Sequence, residues 1–329
     1  MDAPPVLIVG AGLAGLVAAN TLQQLGRQVV VLDKSVSPGG RLATRRISTP
    51  SGVVARFDHG AQFFTVRDPD FADLVHEWRR MGLVREWCRG FQPGGDGYPR
   101  YLIEGGMNSL AKYLASTLHV ETDVVVESVA DAGDAVVEVA AGERIWYANE
   151  VVLTPPVPQS LVLLERGAMP LGSEGPALTA VLYATCLALL VILDGASTIA
   201  EPGAVQGDPG GLDTFAFVAD NSRKGISDVA AITLHCSDIV SAARYDDHPD
   251  AVMADLLAAG AGYWRGARVV ATQLKKWRYA RPLVGHSADH VVLPTPSGGV
   301  VVLAGDAFGG AKIEGAALSG LAAARAIAG

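Results

Sequence analysis

Gly10, Gly12 and Gly15 stand between two β-rich runs, and this arrangement limits the fold more than any other feature of the chain. The apolar run Val6-Leu7-Ile8-Val9 reads as a buried strand. Gly10-Ala11-Gly12-Leu13-Ala14-Gly15 follows it, and Leu16, Ala19, Leu22 and Leu25 then recur at helical spacing up to Gly26, which suits a helix C-terminus. Residues 28–32 form a second β-rich run ending in Asp33, with Lys34 beside it. Strand, tight turn, helix, strand and an acid about twenty residues past the glycines make up a dinucleotide-binding βαβ unit. Gly10 permits the turn, Gly12 lets backbone amides approach a pyrophosphate, and Gly15 allows the helix to pack close on the strand. The helix N-terminus favours the negative charge, and Asp33 can accept hydrogen bonds from ribose hydroxyls.

Two further segments carry the same chemistry. Ser37-Pro38-Gly39-Gly40-Arg41-Leu42 supplies flexible backbone amides and a guanidinium suited to phosphate oxygens. Near the far end, the buried-type run at 300–303 leads into Ala304-Gly305-Asp306-Ala307-Phe308-Gly309-Gly310. Lys312-Ile313-Glu314-Gly315-Ala316-Ala317 then opens an Ala-rich helix. The first segment resembles the Gly-Gly-Arg continuation of the glutathione-reductase-type flavoproteins, which include monoamine oxidases, phytoene desaturases and renalases. The second resembles their C-terminal motif, in which the Asp meets the ribityl-phosphate side and the helix N-terminus faces the flavin. The resemblance implies FAD, with the two ends of the chain meeting around it. It also implies a backbone contact from Val126 to the adenine, strands of a meander at 120–126 and Val129, and an exit from the domain through 151–153 and Thr154-Pro155-Pro156.

Arg56-Phe57-Asp58-His59-Gly60-Ala61-Gln62-Phe63-Phe64-Thr65 narrows the likeness. It resembles the renalase family, whose members carry an Asp-x-Gly-Ala-Gln-aromatic-aromatic-Thr run beside the isoalloxazine. Glu77-Trp78, Glu86-Trp87, Gly106-Met107-Asn108, His235 on its strand and Trp277-Arg278-Tyr279-Ala280-Arg281-Pro282 extend the agreement along nearly the whole chain. It weakens over residues 160–230 and at Ala307-Phe308, where bacterial members often carry Trp-Cys. The resemblance implies an α/β chain with a discontinuous Rossmann-like FAD domain (1–70, 98–164 and 286–329) and a smaller mixed-sheet, α+β substrate domain (71–97 and 165–285).

The same likeness implies an FAD-dependent oxidase. Its expected substrates are the 2- and 6-dihydro isomers of NAD(P)H, returned to NAD(P)+ while O2 becomes H2O2. Expected flavin contacts include Asp58, His59, Gly60, Ala61 and Gln62, with Gly305, Asp306, Ile313, Glu314 and Ala316 at the C-terminal end. His235, Gln62, Trp277, Tyr279 and Lys312 are the candidate catalytic residues. Three of them have a plainer reading, His235 as a core histidine and Trp277 and Tyr279 as one core face of a strand, while Gln62 is expected at the flavin edge and Lys312 beside the flavin helix. Lys275 and Lys276 read as a solvated edge. An amine oxidase on the same scaffold and a non-catalytic FAD-binding protein remain the alternatives.

Composition sets limits on partners and location. Of 329 residues, half are hydrophobic and 18% charged, which excludes a disordered chain, and the net charge of −8 carries no basic track for nucleic acid. Cys88, Cys186 and Cys236 are widely spaced, with neither metal-ligand spacing nor an even disulfide framework. None lies near the Gly-Gly-Arg or C-terminal motif, so FAD is expected to be held without a covalent bond. The start, Met-Asp-Ala-Pro-Pro, lacks the basic region of a leader. Residues 175–193 are uncharged and nearly long enough to span a bilayer, but Thr179, Tyr183 and Thr185 interrupt them. They read as a buried strand pair or core helix in a cytoplasmic chain.

Overall fold

The computed structural model describes residues 4–49, 52–91, 94–208 and 210–329. The first three residues, on which the reading of the start partly rests, lie outside the described residues. Val6–Val9 is buried along its whole length because it is the inner strand of a six-stranded sheet, flanked on both sides. Such a strand has no polar face, which is why its sequence is an unbroken apolar run. Val29–Leu32 and then His119–Glu121 extend the sheet on one side, while Glu150–Leu153, Val300–Leu303 and Val291–Pro294 extend it on the other. All neighbours run parallel except the last pair, with register Ile8↔Val31, Ile8↔Val152 and Val152↔Val302.

The strand order reverses direction at Val6–Val9. Ligands of open α/β sheets bind at that switch point, beyond the C-terminal strand ends. Gly10, Asp33, Thr154 and Ala304-Gly305 all follow those ends. Helix Leu13–Gln24 packs over the sheet, and Gly26, at φ +81°, closes its C-terminus by donating to the Gln23 carbonyl. The last helix, Ile313–Ala328, lies against it so closely that a methyl group on Gly320 would collide with the Ala14 carbonyl oxygen. The two ends of the sequence therefore share one hydrophobic core.

A second sheet of five strands runs Ala204–Gln206, Phe215–Asp220, Ala231–Cys236, Leu182–Leu193, Val269–Val284. Every pair in it is antiparallel, so the expected mixed sheet is corrected to an antiparallel one. Residues 175–193 are neither a strand pair nor a core helix. A short helix, Gly175–Thr179, leads into the single strand Leu182–Leu193, paired on both sides and buried at its C-terminal half. Its uncharged sequence reflects that central position. No helix among the described residues is long and apolar enough to cross a membrane. The reading of 120–126 is corrected too: His119–Glu121 belongs to the parallel sheet and Asp123 turns at φ +59°, whereas the antiparallel meander is Ser128–Gly133, Val136–Ala141 and Arg144–Ala148.

Candidate functional site

One cavity of about 1520 Å³ runs from the switch point of the parallel sheet to the face of the antiparallel sheet. Drug-sized pockets occupy roughly 300–1,000 Å³, so this one has room for a dinucleotide and a second molecule. At the nucleotide end the wall holds Gly10, Gly12, Leu13, Ala14, Asp33, Lys34, Gly40, Arg41, Val126, Thr154, Gly305, Asp306, Lys312, Ile313 and Ala316. Asp33 fixes its own corner, accepting from the Ala11 amide at 2.6 Å and the Ser35 amide at 2.7 Å. Thr154 donates to the Val9 carbonyl at 2.9 Å, tying the turn to the neighbouring strand end.

Ala11 and Gly15 do not reach the cavity wall. Gly15 works by allowing close approach, since a methyl there would meet the Gly10 carbonyl oxygen. Gly12 is different: added atoms would meet nothing of the protein within 4 Å, so its free side is space left for a ligand. Glu314 corrects a second expectation. Its Oε1 accepts from the Arg67 amide at 2.7 Å and the Asp68 amide at 2.8 Å, away from the cavity wall. Asp68 in turn caps helix Pro69–Arg80, so Glu314 braces a loop.

Arg41 and Asp306, 265 residues apart, form a forked ion pair in the wall, one arm at 2.8 Å. Tyr183 donates to the same Asp306 carboxylate at 3.1 Å, and burial together with that negative charge pushes its phenol well above the usual range. Lys312 lines the cavity at φ +102°, a strained conformation for a residue other than glycine.

At the other end, sheet register assembles the wall. Phe217, His235, Ala188 and Lys275 are successive partners across four strands, and Cys186 pairs with Trp277 two residues along. Residues two apart share a face, so Lys275 joins Trp277 and Tyr279 in lining the cavity with Phe217 and His235. Tyr279 meets Tyr183 edge to face at 5.6 Å between centroids. The His59 carbonyl accepts from Trp277 Nε1 at 2.8 Å and lies 3.1 Å from His235 Nε2, while the His59 ring stacks on Trp277 at 5.2 Å. Burial, then the cations Lys275 and Arg45 with His235 between them in weight, brings the His59 pKa down to about 3. Burial brings His235 down to about 4. Both rings are neutral at physiological pH.

Asp58 corrects a third expectation. It is fully buried behind the wall, with Oδ2 3.2 Å from Lys224 Nζ and Oδ1 accepting from Thr44 at 2.7 Å and the Met107 amide at 2.9 Å. Lys224, also fully buried, donates to Gln62 Oε1 at 3.1 Å and lies over the Trp87 ring. Gln62 lines the cavity, but its amide is held on one side by Lys224 and on the other by the Asp58 carbonyl at 2.6 Å. Sequence reasoning missed Lys224, which nothing local marks. Lys275 and Lys276 are corrected from a solvated edge to cavity wall. Cys186 and Cys236, remote from the motifs in sequence, also line it. Burial pushes the Cys236 thiol up to about 12 and Cys186 higher still, so both stay protonated and poorly nucleophilic.

The residues present fit a flavin dinucleotide. Gly12 and Gly40 edge a cradle that side chains would fill, Gly10 (φ +104°) and Gly39 (φ +135°) make the turns that shape it, and His59 Nδ1 is buried in the wall without a partner among the described residues. No group of three or more His, Cys, Asp or Glu side chains among them could hold a metal ion.

Comparison with known proteins agrees. Residues 8–78 match the NAD(P)-binding Rossmann-like domain family. The chain is 38% identical over 100 residues to lysine-specific histone demethylase 1 homolog 1 of Arabidopsis thaliana, covering 29% of this chain and 12% of that protein. It is 46% identical over 90 residues to the flavin-dependent L-tryptophan oxidase RebO of Lentzea aerocolonigenes, covering 27% and 19%. The chain thus spans less than a fifth of either relative's length. Its fold is similar to that of cyclohexylamine oxidase from Brevibacterium oxydans IH-35A, with a TM-score of 0.72, 15% identity and 99% of each chain covered. It is also similar to putrescine oxidase bound to putrescine, with a TM-score of 0.69, 16% identity and 98% of each chain covered. These matches show a fold similar to that of the amine oxidases and a Rossmann-like nucleotide-binding segment, and they support a flavin cofactor.

Proposed function

We propose that this chain is an FAD-dependent oxidase that takes hydride from 2- and 6-dihydro isomers of NAD(P)H. A dihydronicotinamide, O2 and one proton would give NAD(P)+ and H2O2, so atoms and electrons balance. FAD, when bound, supplies the hydride acceptor and the relay to O2. The chain's own task is to hold the ring, exclude water and leave it unprotonated. The observation that carries this reading is that, among the described residues, every carboxylate in the cavity wall is already engaged: Asp33 by two backbone amides, Asp238 by Arg281 and Asp306 by Arg41. None remains to receive an ammonium group, and a dihydropyridine needs neither a counter-ion nor a base. His235, Trp277 and Tyr279 would position the ring, with Arg41 reaching the cofactor phosphates as well as Asp306.

The second reading, amine oxidation, is favoured by the Tyr183–Tyr279 pair, two aromatic rings next to the cavity. They stand at 81° to each other, however, and the Tyr183 hydroxyl is held by Asp306. Anaerobic mixing separates the two. Dihydronicotinamide isomers should bleach the flavin absorbance, at a rate nearly constant between pH 6 and 9, because His59 and His235 stay neutral above about pH 4. An amine must react as its free base, so its rate would climb steeply over that range. Bleaching by a simple amine with such a climb, and none by the dihydro isomers, would reverse the choice.

Arg41→Ala is expected to release flavin during dialysis, losing roughly 1.5–3 kcal/mol of charge-assisted bonding. Lys at this position should restore only part, because a single ammonium cannot keep the forked pair with Asp306 while also reaching a phosphate. Full flavin occupancy in the Ala variant would remove Arg41 from the cofactor site.

A further inference from the structure

Of the cations that line the cavity, Lys34, Arg46, Lys112 and Lys312 have no side-chain hydrogen-bond or ion-pair partner among the described residues, and those around the antiparallel sheet differ in how far they are engaged. On strand Val269–Val284, Lys276 is tied to the Tyr245 and Asp247 carbonyls, Arg278 to Asp246 and Arg281 to Asp238. Lys275 has no hydrogen-bond or ion-pair partner among the described residues, although it is half-buried and lines the cavity. Arg45 lines it as well, and only its Nε is used, donating to Gln273 Oε1 at 3.2 Å. No carboxylate among the described residues pairs with either. They are neighbours: Arg45 holds the side chain of Gln273, which is two residues from Lys275 on the same strand, and its charge adds to burial in lowering the Lys275 pKa. Two like charges set together in the wall of a chain with net charge −8 repel at a cost, which an anion between them would offset.

We infer that Arg45 and Lys275 form a phosphate-binding subsite of the substrate, separate from the dinucleotide cradle at Gly10–Gly15. Its neighbours fix which part of the substrate it receives. His59 and Trp277 stack beside it, and His235 lies in the same cross-strand row as Lys275 with Ala188 between them. A flat ring seated against those side chains brings its attached sugar phosphate to the two cations. The guanidinium has two NH2 groups free for a forked contact, and the ammonium supplies a point charge. The inference rests on the hydride-donor reading above for the identity of the ring, but not for the anion, which the two cations select by themselves. Specificity for a dinucleotide over a bare ring would then reside in these two side chains.

The test uses the FAD-loaded protein, so that the cofactor's own phosphates fill the cradle. Inorganic pyrophosphate titrated calorimetrically should bind the wild type, and the Arg45→Gln/Lys275→Gln variant should bind it about 10- to 100-fold more weakly, as loss of charge-assisted contacts implies. Exchanging the cations, Arg45→Lys with Lys275→Arg, should keep most of the binding and controls for folding. In turnover, the neutralised variant should raise KM for the dihydro dinucleotides by a similar factor and leave kcat nearly unchanged. Dihydronicotinamide riboside, which has no phosphate, should be oxidised equally by both. Failure of pyrophosphate to bind the wild type, or equal binding by wild type and the neutralised variant, overturns the subsite. Selective pyrophosphate binding in a protein that oxidises no dihydronicotinamide would uphold the subsite and remove the substrate reading instead.

Discussion

Gly15→Val should yield a protein purified without flavin. The reason is a single close approach: a Cβ at residue 15 would overlap the Gly10 carbonyl oxygen and touch Thr154 Oγ1 at 3.0 Å. The obstacle is backbone, held by the Gly10 amide's bond to the Leu32 carbonyl, so it cannot swing aside as a side chain would. The helix has to move off the strand, and its N-terminal amides leave the position from which they meet a pyrophosphate. We expect FAD affinity to fall at least about 100-fold, or about 2.7 kcal/mol. The ratio of flavin to protein absorbance after desalting measures it. Gly12→Ala supplies the contrast, because its methyl meets no protein atom within 4 Å. That variant should fold with unchanged thermal stability when flavin-free, yet bind FAD poorly, since the methyl stands in ligand space. Stoichiometric flavin in Gly15→Val would mean that the cradle is not the binding element.

These glycines also explain which parts of the molecule were legible in the sequence. The nucleotide end is local: strand, turn, helix and acid occur within about thirty residues, and each needs a particular residue type. Arg41 and Asp306 were legible separately, and only the fold pairs them. The antiparallel sheet was harder. Trp277 and Tyr279 stand out as aromatic, while Lys275, one more step of two along the same strand, reads as solvated because charge usually is. Extending the period by one residue would have placed it on the cavity face. Residues 120–126 misled for the opposite reason, since a short parallel edge strand and a meander strand present the same β-branched run. Asp58 gave a family match at the right place but the wrong depth: it lies behind the wall, and its neighbour His59 reaches the cavity. Lys224 could not have been found locally, because its partners lie 166 and 162 residues away.

That buried lysine gives the largest stability effect. Asp58→Asn keeps the shape and removes the charge, leaving the Lys224 ammonium in the interior with only Gln62 Oε1 and the Trp87 ring. Breaking a buried pair from one side costs about 3–5 kcal/mol, because the surviving charge is neither solvated nor matched. For a chain of this size the unfolding midpoint should drop by roughly 10 °C. Adding Lys224→Met removes the stranded charge at nearly constant volume and should recover most of the loss, so the effects of the two substitutions will be far from additive. The pH dependence gives an independent check. Burial lowers the Lys224 pKa and Asp58 opposes that shift, so the Asn variant has its folded pKa depressed further below the unfolded value. The unfolded chain then binds the extra proton, and stability must rise with pH, reaching its full value only above the unfolded lysine pKa of about 10.4. Between pH 7 and 10, Asp58→Asn should therefore gain on the wild type, while the double variant, with no buried lysine left to titrate, should gain less than either. A single variant no less stable than the wild type at pH 7, with no gain toward pH 10, would show that Lys224 carries no charge in the folded protein.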